Sequence, residues 1–353
     1  MATEQKLTAQ QRAMLFAAAT RQHIQPIAPK EVNSGFQSMT FRLPQARLTQ
    51  GIKLFVEGTL NLTASGSVAS GKHDAFRLLT RVACDFNNGF RPIQGSGESL
   101  ALVSMLYPNS GMMYGAQAGT LVRQPDSWAN GENKFSFTLD LPFTTNFRDF
   151  TGIILTQNAD TNMDCIVDIG NPMKMFTQDT DGKITAAELS NLKITPMVVS
   201  YSVPSDARAM PDMSILKVVS ENSYNFNEGM NYIKVQTGMI YRKMILIFEK
   251  EDGTRMTPEE IESNIELVFN TADTPYVMPP KMFRDFNTWQ AGVEMPEGVY
   301  FWSFDFAGVL GYAGSRDLVD AERLSELGIR FHSKVPGKLT FVAEKLSRLV
   351  VQG

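Results

Sequence analysis

The feature that most constrains this chain is a strict two-residue alternation of apolar and polar side chains, which recurs from Phe36 onward and is broken once by a proline-flanked segment. Phe135, Phe137, Leu139, Leu141 and Phe143 alternate with Lys134, Ser136, Thr138 and Asp140. A strand with one buried face puts every second side chain on the same side, whereas a helix would scatter these residues around its axis. Ile52, Leu54, Val56, Leu60 and Leu62 repeat the pattern with an interruption at Gly58, as do Phe76, Leu78, Thr80, Val82, Cys84 and Phe86. Further strands are expected at 152–156, 164–169 and 192–203, with polar loops rich in Gly, Ser, Asn and Asp between them, as in an antiparallel sandwich.

The break lies at Ser202 to Pro211, where Pro204 and Pro211 flank a segment of little apolar content. Beyond it the same texture resumes at 215–219, 232–235, 239–248, 265–269, 299–306, 329–332 and 339–351. With 353 residues the chain is long enough for two cores of ordinary size, and two strand-rich halves around one linker are what a duplicated sandwich leaves. Helices are expected at Leu7 to Arg21, rich in Ala, Gln, Leu and Met, and at Leu318 to Leu327, stopped by Gly328. Thr257-Pro258-Glu259-Glu260 reads as a capped helix start. Leu100 to Tyr107 fits a helical turn or a buried strand, which period alone does not separate.

A formal charge of −4 is small for this length, and dispersed basic residues give no footprint for direct nucleic-acid binding. Cys84 and Cys165 lack metal or redox spacing, no secretory signal precedes them, and they are read as reduced thiols of a protein made in the cytosol. No apolar run approaches the roughly 18 residues of a membrane-spanning helix, so membrane contact would be peripheral. The first 30 residues carry Lys6, Arg12, Arg21 and Lys30 against Glu4, with Met14, Leu15 and Phe16 clustered in one turn. Arg12, Met14, Leu15, Phe16 and Arg21 are therefore candidates for contact with a neighbouring subunit or an anionic lipid surface.

Catalytic signatures are mostly missing. Gly66 to Lys72 matches a phosphate-binding loop except that His73 stands where Ser or Thr would bind magnesium, and the segment reads as a hairpin tip. His23, His73 and His332 form no paired-ligand pattern such as a two-domain cupin enzyme needs, and no Ser sits in a nucleophile elbow. Asp179, Asp181 and Glu188, with Gly182, keep EF-hand spacing and are candidate calcium ligands. Thr177 occupies the first ligand position, however, and an Asp-Gly turn followed by a capping box at Thr185 to Glu188 explains the same residues. No other cofactor is implied.

From Val299 the order Val-Tyr-Phe-Trp-Ser-Phe-Asp-Phe puts Tyr300, Trp302, Phe304 and Phe306 on one strand face, as core rather than a sugar platform. Asn287-Thr288-Trp289 is read as closing the aromatic connection before it. Thr288 to Ala291, the Pro296-Glu297-Gly298-Val299-Tyr300 turn and this strand resemble the second jelly roll of tectivirus-type major capsid proteins. The Gln- and Ala-rich N-terminal helix and the link after Val198 to Val203 resemble the same family in sequence order. The resemblance implies an all-β double jelly roll: an N-terminal helical arm over 1–34, a first jelly roll over 35–204 and a second over 205–353. It also implies a non-enzymatic homotrimer that tiles the icosahedral shell of a membrane-containing double-stranded DNA virus, synthesised in the host cytoplasm. Its partners would be neighbouring trimers, the inner viral membrane through the arm, and vertex and minor capsid proteins. The alternative from another class is a virion spike or a carbohydrate- or receptor-binding sandwich.

Overall fold

Most alternating stretches become strands because an apolar face is covered by another sheet. Phe76 and Leu78 are an exception, lying in a tight turn Asp74–Leu78 that precedes the strand Leu79–Phe86. A computed structural model describes residues 8–33, 37–71, 73–87, 89–106, 122–145, 150–157, 162–176, 179, 181–211, 213–292, 294–305 and 318–348. One sheet runs in the order Gln22–Pro26, Ile184–Tyr201, Leu48–Ala64, Gly131–Pro142, Val122–Arg123. Facing it are Phe90–Gly95, Leu79–Phe86, Met163–Ile169 and Ser38–Arg42, which complete the first sandwich. The second sandwich pairs the sheet Gly229–Val235, Leu327–Ser333, Ile265–Phe269, Asp273–Met278 with Val299–Ser303, Ile240–Lys250, Gly337–Arg348 and Ile215–Phe226.

The two sandwiches share a sheet. Ile215–Phe226 lies beside Phe90–Gly95 through one parallel register point, Val219 opposite Ile93, so a nine-stranded sheet crosses from one half to the other. Val299, Phe301, Ile245, Ile247 and Val342 of the second sandwich belong to the same buried cluster as Leu54, Val82, Leu100 and Phe137 of the first. Tyr300, Trp302, Leu246 and Phe341, on the opposite face of the same strands, build the second core with Leu267, Ile329 and Phe331. The aromatic strand is thus buried on both faces. Each large side chain hidden in this way contributes roughly 1.5–3 kcal/mol.

Leu48–Ala64 continues through Gly58, whose neighbours Val56 and Leu60 keep the same phase. A Cβ at 58 would approach Cε1 of Phe135 to 2.7 Å, so the glycine makes room for that ring across the strand pair. Three α-helices occur among the described residues: α1 (Ala9–Ala19), α2 (Gly97–Met105) and α3 (Pro280–Ala291). All of α2 is buried, which explains why no polar face marked it as a helix in the sequence.

Several expectations need correction. Leu318 to Leu327 is not a helix but a short strand Val319–Asp320, a single turn Ala321–Arg323 and the start of Leu327–Ser333. Asp320 accepts the Glu322 N–H at 3.2 Å, so the local turn is closed before a helix can propagate. Thr185 to Glu188 is strand, because Ile184–Tyr201 pairs along almost its whole length with Leu48–Ala64. Asn287 to Trp289 belongs to α3, which has Pro280 at its first position and ends at Gly292 with φ +66°. Among the described residues of the arm, the helix spans Ala9–Ala19, and Gln22–Pro26 and Lys30–Val32 pair with Ile184–Tyr201 at the sheet edge. The Thr257 start yields one tight turn, Pro258–Glu260. Leu7, Lys72, Tyr107, Thr177, Phe306 and 349–351 lie outside the described residues.

Candidate assembly surfaces

The junction between the sandwiches is built around α2. Its N-cap Ser96 donates through N–H and Oγ to the Glu221 carboxylate of the second sandwich, at 2.7 and 2.9 Å. A carboxylate here also meets the positive end of the helix dipole. Glu98, one turn in, is held by Arg255 at 2.5 Å and Arg77 at 3.7 Å, while Arg77 reaches Glu249 at 3.0 Å. Burial pushes the Glu98 carboxyl upward, but Arg255 and Arg77 outweigh it and hold the group below its ordinary range. A cleft of about 640 Å³ opens beside this network, lined by His73, Asp74, Arg77, Glu98 and Arg255 among others. Asp74 accepts from Gly71 N–H at 2.6 Å and Trp128 Nε1 at 3.0 Å, and burial raises its pKa to about 6. These charges hold the halves together through short internal pairs.

A second buried network lies within the shared sheet. Arg242 bridges Glu344 and Asp305, each at 2.7 Å, and Lys243 reaches the same two carboxylates at 3.3 and 3.1 Å. Consecutive strand residues ordinarily face opposite ways, but a bulge between Tyr241 and Lys243 lets both cations converge. Lys217 stands 3.8 Å from Glu344, and burial drives its pKa down to about 7 despite that carboxylate. Sequence reasoning missed both networks. The available signal was Arg242-Lys243 and Glu344-Lys345 interrupting otherwise apolar strands.

The arm candidates separate in space. Thr8 and Gln11 cap α1 reciprocally, at 2.9 and 3.2 Å. Phe16 is 1% exposed and packs on Phe150 and Tyr201, with ring centroids 4.5 and 5.5 Å away. It therefore anchors the helix to its own chain and does not share a surface with Met14 and Leu15. Those two are exposed, Met14 at 67%, while Arg12 is half-buried and Arg21 is exposed, its N–H donating to Ser202 Oγ at 2.9 Å. No helix among the described residues is long and apolar enough to cross a membrane.

The calcium candidates do not converge. Asp179 accepts Lys183 N–H and Ile184 N–H at 2.8 and 2.7 Å, Asp181 pairs with Lys183 at 2.9 Å, and Glu188 is exposed on a strand. Among the described residues no group of three His, Cys, Asp or Glu side chains is placed to hold a metal ion. The glycine-rich segment at 66–71 does not end as a free tip, because Val68–Ala69 pairs with Ser127–Trp128 and His73 and Asp74 are buried. Cys84 and Cys165 are unbridged, buried and opposite one another on adjacent strands. The hydrogen bond to Cys165 and burial together raise the Cys84 thiol well above its ordinary range.

On α3 the buried face carries Phe283 and Asn287. Asn287 donates to the Phe301 carbonyl at 2.7 Å and accepts the Phe301 N–H at 2.9 Å, so a side-chain amide stands in for a neighbouring strand. This closes the edge of the shared sheet. The outer face presents Met282, Phe286 and Trp289, the last 72% exposed.

No family model matches the sequence, and no curated protein matches it. Solved structures, by contrast, match along nearly the whole chain. The major capsid protein of Sulfolobus turreted icosahedral virus superposes with a TM-score of 0.69 at 11% identity, over 94% of this chain and 97% of that one. The PBCV-1 capsid gives 0.63 at 12% identity over 93% and 94%, and the major capsid protein of bacteriophage PM2 gives 0.54 at 10% over 94% and 100%. All are double jelly-roll major capsid proteins, and this chain has their double jelly-roll fold.

Proposed function

We propose that this chain is the major capsid protein of a membrane-containing icosahedral double-stranded DNA virus. The observation that carries the reading is that both sandwiches and their fused junction, 94% of the chain, superpose on solved capsid proteins along nearly their full length. In this reading the chain divides at 1–34, 35–204 and 205–353, and three copies supply six sandwiches to a nearly hexagonal capsomer that tiles the shell. A closed ring of three needs large, flat contacts in which one face of the chain fits a different face of the next copy, and no chemistry. Other trimers, a vertex protein and minor capsid proteins complete the shell, and the chain is made in the host cytoplasm before it enters the virion. The spike or carbohydrate-binding alternative loses its main support, since Tyr300, Trp302 and Phe304 are buried in the second core.

The arm is assigned to the inner side of the shell. Met14 and Leu15 remain exposed on an arm that also carries the half-buried Arg12 and the exposed Arg21, a composition that suits an anionic lipid surface. Each cation contributes about 1 kcal/mol near such a surface, so binding would rest on many arms acting together. Sedimentation of the purified chain should give three times the mass of one copy, and assembled material should form closed shells by electron microscopy. A chain that stays monomeric at every concentration would sink the capsid reading. Flotation with anionic vesicles at low salt tests the arm separately. Assembled shells that fail to float, or float equally well when Met14 and Leu15 are changed to Asp, would remove the membrane role while leaving the capsid role intact.

A further inference from the structure

The strand order makes the two sandwiches positional equivalents. Across the shared sheet the first contributes Ser38–Arg42, Met163–Ile169, Leu79–Phe86 and Phe90–Gly95, and the second Ile215–Phe226, Gly337–Arg348, Ile240–Lys250 and Val299–Ser303, in the same direction of travel. Within each set the first strand in sequence stands at the near end and the last in sequence stands beside it. Phe90–Gly95 ends the first set, and there the second sandwich is seated, with α2 wholly buried between the two. Val299–Ser303 ends the second set, with α3 covering it through Asn287. Its outer face is the apolar row Met282, Phe286, Trp289, spaced four and three residues apart, with the Phe286 and Trp289 rings 5.9 Å from one another.

We infer that this outer face of α3 seats a second copy of the chain, whose Ser38–Arg42 end packs across α3 from Val299–Ser303, the counterpart of the seat that the second sandwich takes at the end of the first set. The inference deepens the trimer reading and rests on it. A contact that joins the far end of one copy to the near end of the next is head-to-tail, and a constant rotation closes it into a ring. The receiving end suits the row chemically. Arg42 is half-exposed and held by Asp164 at 3.1 Å, which presents a flat guanidinium to an indole. Lys30 Nζ occupies the Thr40 carbonyl at 2.6 Å, so the partner meets side chains and not an open strand edge.

The three tryptophans make the test direct. Trp128 and Trp302 are buried and Trp289 is exposed, so acrylamide quenching of the intact chain reports on Trp289. Quenching should be severalfold weaker in the assembled oligomer than after dilution to single copies, and Trp289→Phe should abolish that difference. Met282→Glu combined with Trp289→Glu should convert the oligomer to monomers by sedimentation velocity, with an unchanged far-UV circular dichroism spectrum because both side chains lie outside the core. If wild type is monomeric throughout, the trimer reading fails and this inference with it. If wild type is oligomeric but Trp289 stays fully quenchable, or the double variant stays oligomeric, the α3 seat is overturned while the trimer stands. Should the variant lose its fold, the wild-type quenching comparison decides alone.

Discussion

Asn287 shows how one buried polar residue can specify an edge. Its amide satisfies both backbone groups of Phe301, and an apolar replacement would leave a donor and an acceptor buried without partners. Asn287→Leu should therefore cost about 2–4 kcal/mol in urea unfolding, although it adds apolar surface. Glu344 is more demanding, since it faces Arg242, Lys243 and Lys217 from a fully buried position. Glu344→Gln should destabilise by about 3–5 kcal/mol, because cations remain buried with one carboxylate fewer. Lys217 sets a pH dependence with a definite sign. Its pKa falls from 10.5 to about 7 on folding, so between those values the unfolded chain holds the proton more often than the folded one. Stability from this group should rise as pH climbs from about 7 towards 10.5 and be flat below. The melting temperature of Lys217→Met, compared with wild type across that range, should lack this rise; an identical slope would refute the assignment.

The elements show why alternation was easy to read and helices were not. Leu48–Ala64 and Gly131–Pro142 follow their two-residue period because one face meets the core, and Gly58 belongs to that register without breaking it. Gly58→Ala should cost about 1–3 kcal/mol through overpacking against Phe135, and Phe135→Leu in the same chain should recover part of that loss in a denaturant series. α2 carried no readable period, being buried on every side, so periodicity left helix and strand open. α3 did carry signals, Pro280 at its start and Gly292 at its end, but its aromatic residues point both inward and outward and resembled strand or loop. The expected helix at Leu318 to Leu327 had good propensity, and a local side-chain turn together with pairing of Leu327–Ser333 overrode it.

For the whole molecule, the shared sheet and the charged junction mean that the halves are not independent. Ile245, Ile247, Val299, Phe301 and Val342 of the second sandwich are buried in the first core, so separating the halves would expose them to water. Calorimetry should show a single unfolding transition, and a chain nicked between 202 and 211 should keep both fragments together under native conditions. Two resolved transitions, or fragments that separate on a sizing column, would contradict the fused junction. A 205–353 fragment made alone should aggregate for the same reason.

Local order was present in the sequence by itself. Side-chain alternation is a property of neighbouring residues, and it placed most strands, both strand-rich halves, the proline-flanked break and the aromatic strand with its alternating faces. Resemblance in the order of these parts then pointed to the double jelly roll that the superpositions bear out. Only the tertiary structure decided that the halves share a sheet, that Phe16 holds the arm helix to its own chain while Met14 and Leu15 stay outside, and that Asp179, Asp181 and Glu188 do not converge. The reason is physical. Each of these outcomes depends on residues distant in sequence meeting in space: Ile93 with Val219, Glu98 with Arg255, Arg242 with Glu344. A side chain's period records which face it turns to the core, but not which distant residue waits there.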